Sequence, residues 1–189
     1  MKKINTKKIT LMAMFIAISV VLVAIVHLPL IPAAPFLEYD PADIPILIGT
    51  FAYGPLAGVI LTFLVSIIQG TTVSAASGIY GILMHLIATG AFVIVAGNIY
   101  KIKKSMKGAI VALACGTVCM VTVMVFANIL ITPFFLGAPV EAVKALILPA
   151  IIPFNLLKAG INSVVTFLIY KPISKHILSA SKTKVTVED

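Results

Sequence analysis

The 189-residue sequence contains no arginine: its fourteen basic residues are all lysines, set against six carboxylates. Arginine is the usual reader of phosphates and base edges, so the formal charge of +8 does not point to nucleic acid. Most of the lysines flank apolar runs instead. Cysteine is scarce too. Cys115 and Cys119 stand four residues apart in one apolar segment. A bridge along a helix would be strained there and a metal would lack further ligands, so both read as small packing residues and no metal site is expected. The sequence has no Gly-x-x-x-x-Gly-Lys-Ser/Thr, no His-Glu-x-x-His and no Gly-x-Ser-x-Gly. ATP binding through a P-loop and two familiar hydrolase plans are thereby removed. His27, His85 and His176 are scattered, as hydrogen-bonded packing residues would be. Glu38, Asp40 and Asp43 form an acidic group, but an exposed loop gives little means of tuning an acid/base pair. Neither an enzyme nor a bound cofactor is expected. No inverted repeat with paired broken helices is visible, which disfavours a self-sufficient secondary transporter.

What is abundant is apolar surface. The chain is 61% hydrophobic with a mean hydropathy of +1.18, more than a soluble fold needs. It reads as an all-α, multi-pass membrane protein forming one domain over residues 1–189. The apolar runs lie at about 9–27, 44–53, 56–69, 78–100, 108–131 and 151–170. The first is too long for a signal peptide's apolar region and no small-x-small cleavage site follows, so it reads as a retained span. The second and third are short against the roughly 20 residues of an ordinary span, and Tyr53-Gly54-Pro55 marks a break between them. Charge decides the parity. Lysines cluster at 2–8, 101–107 and 171–184, and six spans put all three clusters on one side, which the positive-inside rule makes cytoplasmic. Both termini are then on the cytoplasmic side of the membrane.

Loops 28–43, 70–77 and 132–150 then face outward. The first carries Pro29, Pro32, Pro35 and Pro41 beside Glu38, Asp40 and Asp43; the last carries Pro133, Pro139 and Pro149. Long, stiff loops on one side only are expected to act as lids. Beneath them, Asn155, Lys158 and Asn162 share one helical face, continued by Thr166. An ionisable group inside a membrane span is by default functional. Asn128, Gln69 and His85 fall at a similar depth on three other spans, while the inner half is almost wholly apolar. The pattern describes a polar pocket open to the outside above a sealed cytoplasmic half; a channel would need polar lining throughout. Small-residue pairs occur at Ala13 and Ala17 in the first span and at Gly54 and Gly58 in the third, spaced for close helix approach.

Three stretches carry a family resemblance: Phe36-Leu37-Glu38-Tyr39-Asp40-Pro41-Ala42-Asp43-Ile44-Pro45, Gly54-Pro55-Leu56-Ala57-Gly58 and Pro153-Phe154-Asn155-Leu156-Leu157-Lys158. Together with the length and span count, they resemble the substrate-binding S components of energy-coupling-factor (ECF) vitamin transporters, of the riboflavin-specific type. The resemblance implies a subunit that binds its vitamin at the outer face. It then associates with a transmembrane scaffold protein and two cytoplasmic ATPases, whose ATP hydrolysis drives delivery inward. It implies that Asn128, Asn155 and Lys158 contact the flavin, that Leu37, Glu38, Tyr39 and Asp40 close over it, and that Ala13 and Ala17 dock the first helix on the scaffold. Gln69 and His85 match no motif and are expected at the ligand from depth alone. An S component for another vitamin and a solitary facilitator are the alternatives.

Overall fold

The computed structural model describes residues 6–182, with side chains as far as Tyr170 and at Pro172 beyond it. Lys2, Lys3 and Lys184 lie outside the described residues, as do the side chains of Lys171, Lys175, His176 and Lys182. The chain is a helical bundle: α1 (Thr6–Ile25), α2 (Asp43–Tyr53), α3 (Pro55–Thr71), α4 (Gly78–Ile102), α5 (Met106–Leu136), α6 (Val140–Ala145) and α7 (Ile152–Lys182). Two strands of two residues each, β1 (Leu28–Pro29) and β2 (Glu38–Tyr39), pair antiparallel within the first loop. They are the only departure from an all-α description among the described residues.

Four helical segments are long and apolar enough to cross a membrane: Thr6–Ile25, Ala75–Ile102, Met106–Leu136 and Ile147–Tyr170. At 11 and 17 residues, α2 and α3 are shorter. The expected break is real. Gly54 adopts φ 91° and ψ 172°, ending α2 through its N–H to Thr50 O, while Pro55 opens α3. The two short helices then pack against each other. Gly58 makes that packing possible, because a Cβ there would run into Thr50 of α2 and crowd Val93 of α4. The Gly54/Gly58 pair therefore serves internal packing. Ala13 and Ala17 are exposed on α1, whose buried face is only Phe15, Ser19 and Val23.

Two expected boundaries move. The loop placed at 132–150 begins only after Leu136, because α5 runs through Pro133. A proline removes a single i→i−4 bond; the stop comes from Gly137, in the left-handed region at φ 60°, whose N–H bonds Pro133 O. The loop is also not a bare connector: it holds α6 and a π-helical turn, Ile147–Ile151, that leads into α7. At the other end, α7 continues past the expected 170 to Lys182.

The core has two parts. The main cluster fills the bundle between α2, α3, α4, α5 and α7, with Leu47, Leu61, Phe92, Val93 and Met120 among its buried members. A second cluster of Ala34, Leu37, Tyr39, Val143, Ala150, Ile151 and Phe154 packs the first loop onto α6, the π-turn and the start of α7. This second cluster roofs one end of the bundle.

Candidate functional site

Under that roof lies a cavity of about 890 Å³ including its open mouth. Its walls come from the ends of α3, α4, α5 and α7 and from the first loop. Asn128, Asn155, Lys158, Gln69 and His85, expected at one depth from sequence, all line it, together with Leu37, Glu38 and Asp40. Tyr39 does not: strand alternation turns its ring to the back, where its hydroxyl donates to Asn162 Oδ1 at 3.0 Å. Burial, then the neighbouring Asp40 carboxylate, push the Tyr39 phenol above its ordinary range, so it remains a donor.

The first loop is tied to α7 by charge. Lys158 Nζ donates to Asp40 Oδ2 at 2.7 Å, with both side chains buried, and Asp40 Oδ1 accepts from the Ala42 N–H. One turn further along α7, Asn162 donates to Asp40 O at 3.3 Å and to Asp43 Oδ2 at 3.2 Å. Asp43, at the first turn of α2, also accepts from Thr89 at 2.7 Å and stands 3.4 Å from His85 Nε2. His85 Nδ1 lies 2.7 Å from Ser66 Oγ. One polar chain thus runs from α3 through α4, α2 and α7 to the roof. Nearer the mouth, His27 Nε2 meets Glu38 Oε2 at 2.8 Å, which pins the two ends of the strand pair.

The cavity's free hydrogen-bonding capacity is specific. Asn128 donates one N–H to Met124 O, and its Oδ1 accepts from Thr132 at 2.9 Å. Its second N–H is left for the cavity. Asn155 donates to Ile151 O in the π-turn, leaving its carbonyl and one N–H. Lys158 keeps two of its three donors. Gln69 Oε1 is buried with no hydrogen-bond partner among the described residues. The remaining wall is largely aromatic and thioether: Phe36, Tyr80, Phe135, Phe154, Met84, Met120 and Met124. Tyr80 and Phe135 face each other with ring centroids 5.9 Å apart. Such a site suits a flat, apolar ring with alternating donors and acceptors along one edge.

The family described as ECF transporter, substrate-specific component, matches residues 7–170. The chain is a substrate-specific S component of an ECF transporter. It is therefore a transporter subunit and not an enzyme, and a multi-pass membrane protein. This S component is 30% identical over 174 residues to a protein of Bacillus subtilis named riboflavin transporter FmnP, covering 88% of this chain and 91% of that one. It is 29% identical over 186 residues to the riboflavin transporter RibU of Staphylococcus aureus, covering 93% and 96%. The RibU of Streptococcus thermophilus is 30% identical over 182 residues, covering 92% and 85%. A solved S component of a bacterial ECF transporter superposes with a TM-score of 0.78 at 30% identity, covering 92% of this chain and 99% of that one.

Sequence reasoning missed part of the S component's site. Thr132 carries a readable signal, since it sits four residues after Asn128 and therefore on the same helical face. Thr89 and Ser66 carry none, because isolated hydroxyl residues in apolar helices ordinarily bond their own backbone.

Proposed function

We propose that this S component is the riboflavin-binding subunit of an ATP-driven vitamin importer. It forms one domain with six membrane crossings, both termini cytoplasmic and the cavity facing outward. The observation that carries the reading is the convergence of Asn128, Asn155 and Lys158, each with uncommitted hydrogen-bonding groups, on a cavity walled by aromatic rings and methionines. The isoalloxazine edge alternates carbonyl acceptors with one N–H donor. The Asn155 carbonyl suits the N–H, while the Asn128 and Lys158 donors suit the carbonyls. Gln69 and His85, with Glu38 and the backbone of the Leu37–Asp40 segment, face the hydroxylated ribityl chain. Tyr39 acts from behind, by holding the segment down. Each bond to the ammonium contributes about 1.5–3 kcal/mol, and with ring burial the sum reaches the nanomolar range, near −12 kcal/mol.

With no P-loop of its own, the subunit draws its energy from the scaffold protein and two ATPases characteristic of the family. The exposed Ala13–Ala17 face of α1 is the surface offered to the scaffold, where small residues let a second helix approach closely. The test is the absorbance spectrum of the detergent-purified protein, with extraction of any yellow chromophore. Riboflavin is expected at one per chain, and Lys158→Ala is expected to weaken its binding tenfold or more with the fold intact. A colourless protein that fails to quench riboflavin fluorescence would assign the cavity to another solute.

A further inference from the structure

Two recesses take no part in the site above: one lies at the lysine-rich end of the bundle, and the other begins about one helical turn further toward its middle. The first lies where the α2–α3 turn faces the end of α4, between Tyr53, Gly54 and Pro55 on one side and Tyr100, Lys101 and Lys104 on the other. Lys101 and Lys104 are exposed and have no ion-pair partner among the described residues. The described carboxylates, Glu38, Asp40, Asp43 and Glu141, all belong to the loop-capped end, and Lys8 adds a third ammonium over the Tyr53 ring. The second recess is an apolar furrow between α3 and α4, lined by Ile60, Phe63, Ile87, Gly90 and Ile94.

The two lie in line along the same pair of helices. On α3, Leu56, Ile60 and Phe63 recur at helical spacing; on α4, Lys101, Gly97, Ile94, Gly90 and Ile87 do the same. From Ile87 to Gly97 the helix rises about 15 Å, half of the ~30 Å hydrocarbon core and thus the depth of one leaflet. Ile60, Phe63 and Ile94 are 43%, 49% and 48% exposed, so no described residue covers the furrow.

We propose that these recesses form a binding site for one anionic phospholipid, its phosphate held by Lys101 and Lys104 and one acyl chain laid along the furrow. A soluble phosphate would leave the furrow empty. A partner helix would fill the furrow with no use for two ammonium groups at its end. Basic pockets at the cytoplasmic ends of membrane helices recognise anionic headgroups through charge that the neutral phosphatidylcholine headgroup does not match.

The test uses the full chain in a neutral detergent, titrated with phosphatidylglycerol, phosphatidylcholine or glycerol 1-phosphate, with retained lipid counted by native mass spectrometry. One phosphatidylglycerol is expected to be retained in preference to phosphatidylcholine. Lys101→Gln with Lys104→Gln is expected to weaken retention at least about tenfold, whereas Lys103→Gln with Lys107→Gln, the same charge change outside the recess, leaves it intact. Gly90→Leu enters open space, since a Cβ there meets nothing within 4 Å, and is expected to displace the lipid by filling the furrow. Helix content by circular dichroism checks that each variant folds. Equal loss in the two lysine pairs, equal binding of the two lipids, or competition by glycerol phosphate as effective as the lipid would each overturn the proposal. So would Lys101→Gln with Lys104→Gln weakening capture by the scaffold and ATPases while leaving lipid retention unchanged.

Discussion

Replacing Asp40 by alanine leaves the Lys158 ammonium buried without its carboxylate. At 2.7 Å and an effective dielectric of about 20, the pair attracts by about 6 kcal/mol. Desolvating each ion opposes this by several kcal/mol, so the intact pair adds little net stability. Breaking it is another matter. Removing one partner of a buried pair costs about 3–5 kcal/mol, because the surviving charge is left buried without its counter-ion. The two single changes are not equivalent. After Lys158→Met, Asp40 keeps the Ala42 N–H on its other oxygen. After Asp40→Ala, Lys158 loses its one hydrogen bond, so this variant is expected at the upper end of the range. The double variant removes both charges and is expected to be more stable than either single one, with a coupling of about 3 kcal/mol. Unfolding of the ligand-free protein in mixed micelles of rising SDS content, followed by circular dichroism, measures all four corners of the cycle. Destabilisations that simply add would refute the buried-pair reasoning, and with it the claim that the first loop is held to α7 before any ligand arrives.

Thr132→Val removes the donor that orients the Asn128 amide; flavin affinity read by fluorescence quenching is expected to fall about fivefold, and Thr132→Ser to restore it. Asn162→Ala leaves the Tyr39 hydroxyl, the Asp40 carbonyl and an Asp43 oxygen without their shared partner. It is expected to destabilise the protein by about 1–3 kcal/mol and to expose the first loop to limited proteolysis. Ala13→Trp with Ala17→Trp is expected to abolish ATP-driven uptake in proteoliposomes holding the scaffold and ATPases while sparing flavin binding. Loss of binding would instead mean that this face packs internally.

The polar stripe on the last helix was legible because helical spacing is a local property. Asn155, Lys158, Asn162 and Thr166 stand on one face whatever surrounds them, and all four are buried. The break at Tyr53-Gly54-Pro55 was legible for a similar reason: a glycine free to adopt positive φ and a proline suited to a helix start act within three residues. Depth brought Asn128, Gln69 and His85 to the same level, because charge parity predicts which end of each span faces which side. The helix end was placed too early, at about 131, since Pro133 costs the helix only one hydrogen bond and the left-handed cap at Gly137 ends it.

The sequence by itself therefore determined that this is a multi-pass membrane protein with polar groups gathered at one end and lysines at the other. Periodicity, hydropathy and charge act over a few residues and need no knowledge of neighbours. Only the tertiary structure decided what those groups do to one another. Asp40 and Lys158 are 118 residues apart, and nothing local says that they meet at 2.7 Å and not that each faces the cavity alone. The division of labour within Leu37–Asp40, with Tyr39 turned behind and Asp40 inward, follows from a two-residue strand pair too short to announce itself. The alignment of a basic recess with an apolar furrow likewise depends on which faces of α3 and α4 are left uncovered. Those are contacts between distant segments, and they exist only once the chain has packed.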